Sequence, residues 1–261
     1  MFSTEKRCIY KKNQLADVIC QLRFPTILSI DAKPPAEFQD LIRDIFPQFQ
    51  VRKEVTPPKV VGNPGNFNIE NQPPSTNYQF VSADGIWRVN LTTGFISLSC
   101  AKYTCWEDFA KMLDKPLAAF IQVYKPAYFE RVGLRYLNFF SRNNLDLASV
   151  PYQKLFTPAY LGLLADGELD ENTTSRCGVD AEFAIRGGCR AKIHAGPGLV
   201  KRNNQPDNEI KFILDQDLFM TGNVPVNYSA GALEALHSQA YPIFRGAITQ
   251  MLHDALDPIC D

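Results

Sequence analysis

The sequence predicts an α+β protein of two pseudo-repeated halves, each a strand, a helix, a set of antiparallel strands and a long proline-kinked helix. Three observations carry this expectation. Apolar and polar residues alternate over 17–25 and again over 129–141. Asp84-Gly85 lies between two strand-like runs, Tyr78 to Ser82 and Ile86 to Leu91, a strong hairpin signal. Two long amphipathic stretches, after Thr104 and after Ser229, each contain one internal proline.

In chain order, the first strand puts Val18, Cys20, Leu22 and Phe24 on one face and Ile19, Gln21 and Arg23 on the other. Pro34 and Pro35 suit a helix start, and Phe38, Leu41, Ile42, Ile45 and Phe46 follow at helical spacing before Pro47 ends the run. From Thr56 to Thr76, Pro57, Pro58, Pro64, Pro73 and Pro74 with Gly62 and Gly65 predict a long loop. After the hairpin, Thr92-Thr93-Gly94 turns into a third strand, Phe95 to Cys100. Thr104 and Glu107 match a capping box for a helix carrying Trp106, Phe109, Leu113, Leu117, Phe120 and Tyr124 on one face, with Pro116 inside and Pro126 as its stop.

The second pass opens with Val132, Leu134 and Tyr136 alternating with Arg131, Gly133 and Arg135. A short helix is predicted from Tyr152 to Phe156. Strands follow at Val179–Ile185, around Ala191 and Ile193, and around Ile210–Leu214, with Gly187-Gly188 as a turn. The last helix is expected from Ser229 to about Leu256, interrupted at Pro242. The halves align as Leu22-Arg23-Phe24 against Leu134-Arg135-Tyr136, which places the boundary near Pro126 and gives halves of 1–126 and 127–261. With no linker between Pro126 and Phe129, one cooperative body is expected, its antiparallel sheet curved and both long helices on a common side.

Composition narrows the function classes. Twenty-seven basic and 28 acidic residues give a formal charge of −1, so no global field favours nucleic acid or an anionic membrane. The longest apolar runs fall far short of a bilayer span, and the polar Met1–Lys12 stretch lacks the apolar core of a signal peptide, which predicts a cytoplasmic protein. Seven cysteines with no C-x-x-C pair argue against a disulfide framework, and Cys20 and Cys100 read as core thiols. His194, His237 and His253 are the only histidines. The last two stand about 160° apart around an ideal helix, a poor arrangement for a shared metal.

Candidate site residues fall in three groups. Asp215 and Asp217 put two carboxylates on one side at what reads as a strand end, where they either hold a divalent cation or solvate the strand. The Gly-rich basic segment from Arg186 to Gly198, with Arg190 and Lys192, followed by Lys201-Arg202, reads either as a hairpin with a mobile loop or as an anion cradle. Gln21, Arg23, Arg131 and Arg135 project away from the apolar faces of the two opening strands. They either line a groove near a pseudo-twofold axis or pair with carboxylates such as Glu107, Asp215 or Asp217.

Several stretches carry a family resemblance: Asn13-Gln14-Leu15-Ala16-Asp17-Val18-Ile19-Cys20-Gln21-Leu22-Arg23-Phe24-Pro25, Tyr103, Trp106-Glu107-Asp108-Phe109, and Arg131-Val132-Gly133-Leu134-Arg135-Tyr136-Leu137-Asn138. Leu214-Asp215-Gln216-Asp217-Leu218-Phe219, Leu236-His237 and Phe244 extend it. Together these resemble an uncharacterised, sporadically distributed prokaryotic protein family of about this length, marked by a Gly-Leu-Arg-Tyr-x-Asn motif. Many of its members begin with Pro-Pro-Ile/Val-x-Glu, where this chain has Asn13-Gln14-Leu15-Ala16-Asp17. The resemblance implies no established activity or cofactor. Its patchy distribution implies a mobile or defence-related module. The expected function is a non-enzymatic binding or regulatory protein, without a cofactor, that presents its sheet face or the cleft between halves to a protein or small molecule. The competing expectation is a metal-dependent enzyme acting on a phosphorylated or nucleotide substrate.

Overall fold

Val18, Cys20 and Leu22 are buried on one side of a nine-residue strand, and that side decides where every helix sits. The computed structural model describes residues 2–54, 59–63, 66–70, 75–174, 176–202 and 205–260. Its strands are β1 (Cys8–Tyr10), β2 (Leu15–Arg23), β3 (Gln48–Glu54), β4 (Lys59–Asn63), β5 (Asn66–Glu70), β6 (Ser75–Val81), β7 (Trp87–Leu91), β8 (Phe95–Cys100), β9 (Phe129–Phe140), β10 (Val179–Ala184), β11 (Arg190–Arg202), β12 (Gln205–Val224) and β13 (Pro258–Cys260). Its helices are α1 (Ser29–Ala32), α2 (Ala36–Ile42), α3 (Trp106–Tyr124), α4 (Tyr152–Leu155), α5 (Pro158–Leu161), α6 (Ser229–Ala247) and α7 (Gln250–Ala255).

Nine strands form one antiparallel sheet in the order β10-β11-β12-β9-β2-β8-β7-β6-β3. The middle ladder pairs β2 with β9, Gln21 opposite Gly133 and Arg23 opposite Arg131, so both halves of the chain meet in it. Rings on both long helices reach the same sheet face. Phe120 of α3 packs on Phe24 (centroids 4.6 Å), and His237 of α6 meets Tyr136 of β9. The helices also touch each other, because Trp106 stacks on His237 at 4.5 Å and donates from Nε1 to Glu234 at 2.7 Å. Phe38, Phe80, Phe109, Phe120, Phe156 and Phe212 are among the fully buried rings, each stabilising the fold by roughly 1.5–3 kcal/mol of removed apolar surface.

The expected mixed α+β class and large antiparallel sheet are present, as are the Asp84-Gly85 hairpin, the third strand and the short helix at Tyr152. Several details differ. The segment read as a long loop carries the β4-β5 hairpin, whose strands run between the proline clusters; Pro57, Pro58, Pro64, Gly65, Pro73 and Pro74 lie outside the described residues. β3 was not anticipated because every residue of it is exposed, so burial imposes no alternation on it. α3 is capped one residue later than expected. Cys105 is the N-cap, the Thr104 hydroxyl donates to Asp108 at 2.8 Å, and Glu107 and Asp108 stand in the positive first turn without closing a capping box. The final helix is two. α6 runs through Pro242 to Ala247, Ile248 is extended and bridges Phe156, and Thr249 caps α7 by accepting from the Leu252 amide at 3.4 Å.

The chain ends also meet. β1 pairs with β13 through Cys8–Cys260, Ile9–Ile259 and Tyr10–Pro258, and Cys8 is disulfide-bonded. Cys20 and Cys100 are buried free thiols, as expected, whereas the disulfide at Cys8 was not expected.

Candidate functional site

The outer sheet face, opposite the helices, gathers the residues singled out from the sequence. Asp215 and Asp217 lie mid-strand in β12, not at a strand end. Arg131 grips Asp217 with Nη2 at 2.6 and 2.8 Å, and Arg135 forks onto Asp215 through Nε at 2.7 Å and Nη2 at 2.5 Å. Arg131 reaches so far along the sheet because Gly133 leaves its path open. A Cβ at Gly133 would lie 2.2 Å from Nη1, and Phe219 supports the guanidinium from 4.6 Å. Both carboxylates are thus held by arginines, the structural reading of this group. Arg190 donates to Glu182 at 2.9 Å, and Lys192 stands in register between Glu182 and Asp217. Arg23 is exposed and forms no ion pair among the described residues, and Gln21 is half-buried beside it.

The Gly-rich segment is mostly strand. Residues 190–202 form β11, against the expectation of a mobile loop, and the glycines serve close packing. A Cβ at Gly196, at φ +157°, would lie 2.5 Å from the Cys177 carbonyl oxygen. Among the described residues, no group of three or more His, Cys, Asp or Glu is placed to hold a metal.

Further along the outer face, Gln79 donates to Asn90 at 2.9 Å and Asn90 to Ser97 at 3.2 Å. Among the described residues, Gln79 Oε1, Asn77 Oδ1, Arg88 Nε and Asp17 Oδ1 are buried there without hydrogen-bond partners, and burial raises the Asp17 pKa.

The opposite face holds the better-formed site. A cavity of about 100 Å³ lies between α6, β1, the residues just before α3 and the inner face of β9 and β12. Its sheet wall is polar where the strand pattern calls for apolar residues. Gln216 interrupts the buried series Phe212, Leu214 and Leu218, and Asn138 interrupts Leu134 and Phe140. Asn138 is satisfied by donating to the Leu214 carbonyl at 3.3 Å. Gln216 is 1% exposed, and its Nε2 has no hydrogen-bond partner among the described residues. Tyr241, also on the wall, lies beside Tyr10, whose phenol pKa is raised first by burial and then by hydrogen bonding with Tyr241.

The remaining walls mix aromatic, aliphatic and polar side chains. Tyr136 Oη and His237 Nδ1 share a 2.8 Å hydrogen bond, and Tyr10 Oη and His253 Nδ1 share one of 2.9 Å. Burial first, and the Arg7 charge second, lower the His237 pKa to about 4, so the ring is neutral at pH 7. Burial likewise raises the Tyr103 and Tyr136 phenols. Arg7 borders the cavity with its guanidinium bound to Glu107 at 3.1 Å.

A second hollow, of about 310 Å³, is lined by polar loop residues near Arg142, whose Nη1 is held by Glu171 at 2.5 Å. None of the residues around the inner cavity stood among the sequence candidates, although the polar breaks at Gln216, Asn138 and His237 in otherwise apolar faces were readable. Scanned against protein-family models the chain finds no match, and a search of curated proteins finds no similar chain.

Proposed function

We propose that this protein is a binding or regulatory protein whose small ligand occupies the inner cavity, in the cleft where the two halves meet. The observation that carries this reading is a cavity whose sheet wall carries Gln216 and Asn138 where the strand pattern calls for apolar residues. Tyr103 and Thr104 come from the first half, and Tyr136, Asn138, Gln216 and His237 from the second, so the cavity depends on their apposition.

The halves themselves read as a duplicated unit. The order β2-β8-β7-β6-β3 on one side of the central ladder is matched by β9-β12-β11-β10 on the other, each with its long helix after the strand that flanks the opening one. Aligning Leu22 with Leu134 makes Gln21 equivalent to Gly133, and these two are also partners across the ladder, as a local twofold axis through that pair requires. The metal-dependent enzyme reading has less support, because Asp215 and Asp217 are both engaged by arginines. A place in a mobile or defence-related module, and in the cytoplasm, rests on the family resemblance and the composition.

The test uses Ala240, 5% exposed on the cavity wall, changed to Leu to fill the space. Small molecules released on denaturing the protein purified from its native host are compared by mass spectrometry for wild type and A240L. A compound carried by wild type and lost in the filled variant is expected. Identical extracts from both would sink the reading.

A further inference from the structure

We infer that the edge strand β3 pairs with β3 of a second copy of this chain, joining two nine-stranded sheets edge to edge across a twofold axis. The sheet has two outer strands, β10 and β3, and each presents a free row of backbone groups on its outer side among the described residues. The two edges are guarded differently. Residues directly opposite each other in an antiparallel ladder point to the same face, so a twofold axis normal to the sheet allows only registers that match positions of the same parity. For β10, the two such registers that pair five of its six residues set Asp180 against Glu182 or Glu182 against itself, which repels a second copy.

β3 has no such guard. All seven of its residues are exposed, and Phe49 and Val51, on its inner side, are 41% and 50% exposed. Phe49 is fixed there by the Tyr78 and Phe80 rings, with centroids at 6.3 and 5.3 Å. The charges of the strand, Arg52, Lys53 and Glu54, stand at one end, and the Gln48–Gln50 end carries none. Self-pairing about Val51 is the same-parity register that uses all seven residues, and it lays the charged end of each copy against the uncharged end of the other. Gln50 then faces Arg52, Gln48 faces Glu54, the Phe49 ring lies against the Lys53 stem, and Val51 meets itself on the axis. Sliding two residues one way sets Arg52 against itself, and sliding two the other way leaves Lys53 and Glu54 unpaired. So short a ladder buries less than a standard interface, and a dissociation constant on the order of 10–100 μM follows.

The experiment is sedimentation velocity of the full chain from about 1 to 500 μM, alongside Val51→Lys. Expected is a monomer–dimer equilibrium for wild type and association weaker by roughly tenfold or more for V51K, which sets two ammonium groups on the axis. Because Val51 is exposed, V51K should melt within a few degrees of wild type. A second measurement holds even if V51K fails to fold. With glutathione disulfide as oxidant, Val51→Cys should form a linked dimer above the wild-type background, because opposed Cα atoms stand about 4.5–5.5 Å apart. Gln50→Cys, diagonal to its own copy at about 7–8 Å, should link far less. A chain monomeric up to about 500 μM would overturn the inference and leave the edge to a different partner. A dimer that V51K leaves intact, or one linked through Q50C in preference to V51C, would overturn it by placing the contact or the register elsewhere.

Discussion

His237 shows how one side chain links the fold to its chemistry. It stacks on Trp106 of the neighbouring helix, bonds Tyr136 of the sheet and forms part of the cavity wall, all as a neutral ring. Its pKa falls from the ordinary 6.5 to about 4 in the folded protein, so between those values the unfolded chain binds a proton that the folded chain does not. Stability is therefore full above pH 6.5 and declines as pH falls through this window, by about 3 kcal/mol in all. His253 has a lowered pKa too, chiefly through burial, and adds a loss of the same sign. Urea unfolding measured from pH 7 to pH 4 should show this decline, and His237→Gln should flatten most of it. An undiminished slope in that variant would place the acid sensitivity elsewhere.

Elements were legible where one face is buried and illegible where none is. β2, β7, β8 and β9 alternate because their inner residues meet α3 and α6, and the pattern that burial imposes is visible in the residues alone. β3 is exposed throughout, and β1 and β13 are three residues each, so none carries enough pattern to be seen. The inner cavity was missed for the opposite reason. Gln216 and Asn138 were read only within the family resemblance and His237 only as a metal ligand, though a polar residue on an apolar face is the informative event. The Arg135–Asp215 and Arg131–Asp217 pairs were within reach of the sequence as alternatives, but which aspartate each arginine takes depends on strand register and on the open path at Gly133. The break between α6 and α7 also belongs to this scale. The Thr249 hydroxyl both accepts from the Leu252 amide and donates to the Lys154 carbonyl at 2.7 Å, tying α7 to the α4 region. Thr249→Ala should cost about 1–2 kcal/mol in urea denaturation, while Thr249→Ser, which keeps both bonds, should cost little. Equal losses in the two variants would mean that the methyl group matters more than the cap.

At the scale of the whole molecule, the sheet unites the halves through the single β2-β9 ladder, while a second connection closes around the cavity. Cys8, Ile9 and Tyr10 of β1 line the cavity, and β1 is held by β13 and by the hydrogen bonds from the Lys11 and Lys12 amides to the Asp257 and Leu256 carbonyls. A three-residue ladder is a weak clasp by itself, and Cys8 within it is disulfide-bonded. Cys8→Ser should lower stability by about 2–5 kcal/mol, and dithiothreitol should lower wild type by a similar amount while leaving C8S unchanged. Because such bonds persist mainly in oxidising compartments, the same comparison at a cytoplasmic redox poise bears on the expected location. If the bond is reduced there, β1 must hold the cavity by its hydrogen bonds alone, and wild type at that poise should unfold at the urea concentration of C8S. Wild type and C8S matching in stability under oxidising conditions as well would show that the disulfide adds nothing to the clasp.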